Sequence, residues 1–292
     1  MRILLLTRAP QFSPNSVEKD HAIMMAVADR LRAGGHSVEV CGEADTNAPV
    51  RQDGAALDAI LSMGRLPQTQ SWLRLSQQNG TRVVNSPDGV ELCCHRSALT
   101  RLMQQHHIPM PPSSLSCLDG PHRWIDSGVG DEAGPFWLKR GDSSAQGHDD
   151  VVFCQDSDAL QTAIARFESR GVCDYVVSQH IEGDLVKFYG VCSVSPFFRF
   201  FYPTDDGKTK FGDEQHNGTA HHYAFDATEL QRQAERLAGI TGVCIYGGDA
   251  IVRADGSFCI IDFNDWPSFS RCREEAAEAV CRLVDGMPGR TK

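Results

Sequence analysis

Tyr246-Gly-Gly-Asp-Ala-Ile-Val-Arg253, Ala254-Asp-Gly256 and Ser257-Phe-Cys-Ile-Ile-Asp-Phe-Asn264 follow one another without a break. Two apolar β-runs flank Asp255-Gly256, a dipeptide suited to a tight hairpin turn. Asp249 lies on the first run, Asp262 and Asn264 on the second. Side chains alternate along a strand, so Asp262 and Asn264 share a face. The hairpin can set Asp249 beside them. Two carboxylates and an amide oxygen are hard ligands that suit Mg²⁺ held partly through phosphate. A solvent-facing hairpin would also carry polar residues. Here Asp262 and Asn264 interrupt an otherwise apolar strand, which favours a built site.

Three stretches upstream add to this. Phe136-Trp-Leu-Lys139 is an apolar strand ending in a lysine. Such a lysine either points into a cleft as a phosphate-binding charge or snorkels at a sheet edge. Gly141-Asp-Ser-Ser-Ala-Gln-Gly147 is a small-residue loop that can bring backbone N–H groups to phosphate oxygens, with His148 just beyond it. It is neither a Walker A loop nor a GxGxxG turn. Tyr175-Val-Val-Ser-Gln-His-Ile-Glu-Gly-Asp-Leu-Val-Lys-Phe-Tyr-Gly190 reads as strand, turn and strand, the second bearing Lys187. A strand edge followed by Glu182 can meet an adenine through backbone and a ribose through carboxylate; an ordinary hairpin with a charged turn is the alternative. Further on, His216, His221 and His222 fall within seven residues, with Lys208 and Lys210 just before them. They read as a loop over the active site, with a metal site as the alternative.

The rest of the chain sets the frame. Its 292 residues fit about two ordinary domains. Alternating strand and helix over the opening imply parallel strands with crossovers: a strand at 3–6, a helix at 17–33, a strand at 38–40, helices at 55–63 and 69–78, and a strand at 81–85. A helix at 91–105 precedes Ile108-Pro-Met-Pro-Pro112, where helix cannot continue. From Phe136 the chain is rich in strands, with helices at 158–170, 227–241 and 273–283, which is α+β. The formal net charge is −10, so duplex nucleic acid and anionic membranes are poor bulk partners. No apolar run approaches the ~20 residues of a membrane span. Eleven scattered cysteines with no CxxC suit free thiols in a reducing cytoplasm, and give no support to a zinc site.

Taken in order, Arg96, Lys139, the 179–182 segment, Lys187, Asp249, Asp262 and Asn264 resemble the ATP-grasp superfamily over residues 86–270. Ile260-Ile-Asp-Phe-Asn-Asp-Trp-Pro-Ser-Phe269 looks like the Ile-Asp-Ile-Asn-x-Phe-Pro-Gly-Tyr signature of the inositol tris/tetrakisphosphate kinases. Ser143, Ser144 and His148 match that family's Gly-Ser…Ser-His-Glu segment. The resemblance implies an α/β unit at 1–85, a central lobe at 86–180 and a C-terminal lobe at 181–292, the two lobes enclosing ATP. It implies Arg96, Lys139, Ser143, Ser144 and Lys187 at the phosphates, Gln179, Ile181 and Glu182 at the nucleoside, and Asp249, Asp262 and Asn264 on Mg²⁺. It places His148 toward the acceptor, with Lys187 in a catalytic role; Arg199, in an aromatic strand, is within reach of the γ-phosphate. Arg140 stands where the kinases have Pro, Asp265-Trp266 and Ser268 alter the signature's end, and the opening lacks a Lys/Arg cluster for a polyphosphate. The expected activity is transfer of the γ-phosphoryl group of Mg-ATP to a small hydroxylated acceptor such as an inositol phosphate. The alternatives are an ATP-grasp carboxylate–amine ligase acting through an acyl phosphate, and a nucleotide-binding regulator without turnover.

Overall fold

The computed structural model describes residues 1–13, 16–45, 57–116, 134–143, 148–193, 195–206 and 218–287. The chain opens with strand β1 (Arg2–Thr7), helix α1 (Val17–Ala33), strands β2 (Ser37–Gly42) and β3 (Ala59–Ser62), helix α2 (Pro67–Gln78) and strand β4 (Arg82–Val84). These strands form a parallel sheet in the order β2-β1-β3-β4. Residues 59–62 are therefore strand, where the sequence predicts helix. β3 lies between β1 and β4 with all four residues buried. A short strand buried on both faces shows no alternation, so its apolar run looks like a turn of buried helix.

Two helices follow, α3 (Pro87–Cys94) and α4 (Arg96–Gln105). The expected single helix at 91–105 is broken at His95, whose backbone is extended (φ −94°, ψ 90°). The break starts a new helix at Arg96. Next come β5 (Ser113–Leu115), β6 (Phe136–Arg140), β7 (Val151–Cys154), helix α5 (Ser157–Ser169) and β8 (Tyr175–Gln179). They form an antiparallel sheet ordered β5-β8-β6-β7, covered by α5 through Leu160, Ile164 and Phe167. β5 is absent from the sequence reading, because three residues after a proline run carry no strand periodicity.

The last segment holds β9 (Asp184–Val191), β10 (Phe197–Phe201), helix α6 (Ala227–Thr241), β11 (Ile245–Val252), β12 (Phe258–Asp265) and helix α7 (Arg273–Asp285). Its sheet is antiparallel in the order β10-β9-β11-β12. Two cores tie the sheets together. One joins Ile3, Leu5 and α1 to Trp266, Phe269 and the alanine-rich face of α7. The other packs Leu99 and Met103 of α4 and Leu230 and Leu237 of α6 against Phe188, Tyr246 and Phe263. Among the described residues no helix is long and apolar enough to cross a membrane. The ten described cysteines are free thiols.

Candidate active site

The antiparallel register of the third sheet decides which side chains meet. Asp249 stands opposite Lys187 on one side and Asp262 on the other, so the three form a row across β9, β11 and β12. Asn264 lies one step along, opposite Gly247. The ladder shifts between Asp249 and Ala250, leaving Ile261 as an extra residue between Asp262 and Ile260. This bulge re-aims the strand where the carboxylates stand, as bulges commonly do beside sites. Gly248 permits the close approach: a Cβ there would collide with the Asp262 carbonyl and the Phe188 ring. Asp249 is the one residue of β11 that is not buried.

Cations surround the carboxylates. Lys187 Nζ donates to both oxygens of Asp249, at 3.1 and 3.2 Å. Asn264 Nδ2 donates to Asp262 Oδ2 at 2.9 Å. Lys139, at the end of β6, reaches from the second sheet to the third and donates to the Ile261 carbonyl at 3.4 Å. Arg96, in the first turn of α4, donates to the Arg140 carbonyl at 3.0 Å. Arg96, Lys139 and Asp262 line one cleft with Met103, Met110 and Val176. The apolar members suit a flat base and the charged members suit phosphates.

The electrostatics agree with that geometry. Burial pulls Lys139 down to about 8, helped by Arg96, against the opposing pull of Asp262 and Asp249. Burial pushes Asp262 up, but Arg96 first, then Lys139, the Asn264 hydrogen bond and Lys187 outweigh it, and the carboxyl ends below its ordinary value. An Asp kept ionised in a half-buried place is what a cation site requires. Among the described residues no group of three or more His, Cys, Asp or Glu gathers as a metal cluster. Two carboxylates and an amide oxygen fit Mg²⁺ only if phosphate oxygens and water complete the shell, which is how Mg²⁺ is usually held beside a nucleotide.

The other expected residues fall out unevenly. Gln179 ends β8 and its N–H donates to the Pro112 carbonyl at 2.9 Å, so that donor is committed. Ile181 is buried against Leu185 and Ile251, and Glu182 is exposed. Ser143 hydrogen-bonds Asp142, whose carboxyl is lowered chiefly by Arg140. Ser144 lies outside the described residues, as do Lys208, Lys210 and His216, and His148 is described only as backbone at the start of a short 3-10 turn. Arg199 is not brought to the carboxylates. It sits on the edge strand β10, two strands from Asp249, and pairs with Glu275 of α7 at 2.5 Å. The nearer partner wins because Glu275 lies beside that edge. His221 bonds Asp184 through its backbone N–H at 2.7 Å, and His222 bonds Asp205 at 3.2 Å. They hold a loop down and converge on no common centre.

Sequence reasoning missed a charged network behind Asn264. Asp265 is buried and accepts from Arg8 Nη2 at 3.3 Å and from Arg65. Arg8 also donates to the Trp266 carbonyl at 3.1 Å and to the Met63 carbonyl at 3.2 Å. Burial lowers Arg8, and Arg65 lowers it further, while Asp265 pulls Arg65 up. Glu43 accepts from three backbone N–H groups, those of Ala9, Arg65 and Leu66, at 2.7 to 2.8 Å. Arg8 directly follows β1 and Arg65 lies three residues past β3, and no sequence pattern links either of them to Asp265.

A parallel α/β unit, two antiparallel sheets and a cation-lined cleft between those sheets together make the ATP-grasp fold. The solved structures it resembles extend over almost the whole chain. A RimK domain ATP-grasp protein from Sphaerobacter thermophilus is 21% identical with a TM-score of 0.65, covering 98% of this chain and 100% of that one. A D-alanine–D-alanine ligase from Bacillus anthracis is 10% identical with a TM-score of 0.63, over 98% and 95% of the two chains. The VanG D-Ala:D-Ser ligase from Enterococcus faecalis is 11% identical with a TM-score of 0.67, over 97% and 98%. No protein-family model and no curated protein sequence matches the chain.

Proposed function

We propose that this chain is an ATP- and Mg²⁺-dependent ligase that joins a carboxylate to an amine through an acyl phosphate. The observation that carries it is the row Lys187–Asp249–Asp262, with Asn264, facing Lys139 and Arg96 in a fold whose compared structures include ligases. The inositol phosphate kinase reading loses ground to it. The comparisons include ligases, and the motif at 260–269 that favours the kinase departs from the signature at Asp265, Trp266 and Ser268. Phosphoryl transfer to a hydroxyl remains the second reading, because the first step would use the same residues.

In this proposal residues 1–85, 86–180 and 181–292 act as three units, with ATP between the second and third. α3 and α4 pack on the third sheet, and Arg96 stands beside Lys139 in the cleft, so both would meet the phosphates there. A carboxylate oxygen of the donor attacks the γ-phosphorus, the bond to the β,γ-bridging oxygen breaks, and ADP leaves. Lys139, Lys187 and Arg96 hold the phosphates and offset the spreading negative charge. Asp249, Asp262 and Asn264 would hold Mg²⁺, which supplies neutralisation of the transferring group. The amine then attacks the acyl carbon and inorganic phosphate leaves.

The test is product analysis with Mg-ATP and a panel of amino acids, short peptides and polyols. ADP, free phosphate and an amide product, with an acyl phosphate trapped by hydroxylamine, support the ligase. ADP with a stable phosphoester and no free phosphate overturns it in favour of the kinase.

A further inference from the structure

Cys192 follows the last residue of β9 and Cys244 precedes the first of β11. The ladder continues through them. Val191 pairs with Ile245, and the Cys192 N–H donates to the Cys244 carbonyl at 2.8 Å. The two cysteines are thus the next cross-strand pair. Residues opposed in this way have Cα atoms roughly 5.5 Å apart, and a disulfide accepts about 4.4–6.8 Å. Opposed side chains leave a sheet on the same face. The two thiols hydrogen-bond each other, and both residues are partly exposed.

We propose that Cys192 and Cys244 are an oxidisable dithiol, which low-molecular-weight disulfides of the glutathione class convert to a cross-strand disulfide. The proposal does not depend on the ligase reading. The two thiols are unequal: the hydrogen bond from Cys192 holds Cys244 down to about 7, and that bond together with burial raises Cys192. Cys244 is the thiolate that starts the exchange, since the thiolate is the nucleophile. It attacks one sulfur of the small disulfide, forms a mixed disulfide and expels one small thiolate. Cys192 then gives up its proton, attacks the Cys244 sulfur and expels the second small thiolate. Two protein thiols and one small disulfide become one protein disulfide and two small thiols, with no other oxidant.

The bridge would close residues 193–243 into a covalent loop carrying β10, His221, His222 and α6. It would also pin the register that sets Lys187 opposite Asp249, because both pairs belong to one ladder. Closing so long a loop restricts the unfolded chain more than the folded one.

The experiment incubates the folded protein with oxidised glutathione, alkylates the remaining thiols and maps peptides without reduction. A linked peptide pair containing Cys192 and Cys244 is expected, reversed by dithiothreitol, with Tm raised on the order of 5 °C or more. Cys192→Ser should stop at a glutathione adduct on Cys244, while Cys244→Ser should form no linked pair and react at Cys192 more slowly than the wild-type protein reacts. No linked pair in folded wild-type protein overturns the proposal. So does a glutathione adduct on Cys192 in Cys244→Ser that forms as fast as the wild-type reaction.

Discussion

Replacing Lys139 by Met should stabilise the unliganded protein while weakening its hold on nucleotide. Lys139 falls from an ordinary 10.5 to about 8, mainly because burial penalises its charge. A shift of 10.5 − 8 = 2.5 corresponds to about 3.4 kcal/mol that the folded state loses by keeping this group charged. Met has a similar length and would line the same cleft as Met103 and Val176 without that cost. Losing the 3.4 Å bond to the Ile261 carbonyl takes back about 1 kcal/mol, so the net gain at pH 7 is roughly 2 kcal/mol. The sign follows from linkage. Between about pH 8 and 10.5 the unfolded chain binds more protons at this lysine than the folded one, so wild-type stability climbs with pH there. The advantage of Lys139→Met should be full below pH 8 and vanish as pH approaches 10.5. Urea unfolding of both proteins at pH 7 and pH 10 reads this directly, and Mg-ATP titration reads the expected loss of affinity. A Lys139→Met protein that is less stable than wild type at pH 7 would refute the burial argument, and unchanged ATP affinity would remove Lys139 from the phosphate site.

Three more outcomes follow from named contacts. Asp262→Asn should keep the fold and lower Mg²⁺-dependent turnover on the order of 10²-fold, because a ligand charge beside the transferring phosphoryl group is lost; near-normal kcat would contradict the metal assignment. Asp265→Ala should cost about 3–5 kcal/mol in denaturant unfolding, since it strands Arg8 and Arg65 in a buried place, and a loss under 1 kcal/mol would show that the network is not structural. Asp184 is pushed up by burial but held below its usual range by the backbone N–H groups of His221 and Tyr223. Its contribution is present above the ordinary Asp value and lost as pH falls through the lowered one, so limited proteolysis near residues 218–225 should quicken in acid, and in Asp184→Ala at pH 7.

The third sheet could be read from sequence because its strands alternate and its turn is marked. β11 and β12 surround Asp255-Gly256, and Asp262 and Asn264 share a face as period two requires. What the alternation does not reveal is the bulge at Ile261, and so the direct opposition of Asp249 to Asp262 rests on a register that only pairing shows. β3 escaped because a strand buried on both faces has no polar phase to read. Arg199 has a strand and face compatible with the site, and what the sequence does not show is its partner, Glu275, which comes from a helix 76 positions later in the chain. The same limit hid Asp265. Its partners Arg8 and Arg65 lie on the first unit, and no local pattern links a strand end to residues some two hundred positions earlier.

Under the proposed function, the distribution of charge would let an acidic chain serve a polyanion. A formal charge of −10 repels ATP at long range, but in physiological salt that field fades within about 8 Å. Inside the cleft the balance is local. Arg96, Lys139 and Lys187 bring three cations against the two carboxylates Asp249 and Asp262, before any metal is added. Without nucleotide this set nearly neutralises itself, with Lys187 on Asp249 and with Arg96 and Lys139 sustaining ionised Asp262. In the proposed function Asp249 and Asp262 would hold Mg²⁺ while Lys139 and Lys187 would hold phosphate, so that each group would exchange partners without leaving a charge unpaired. Such a cleft would discriminate against free ATP, whose uncompensated phosphates would meet Asp249 and Asp262 directly. Under the proposed function the site would therefore favour the metal complex because its carboxylates are held ionised, and the chain's overall charge would have little part in it.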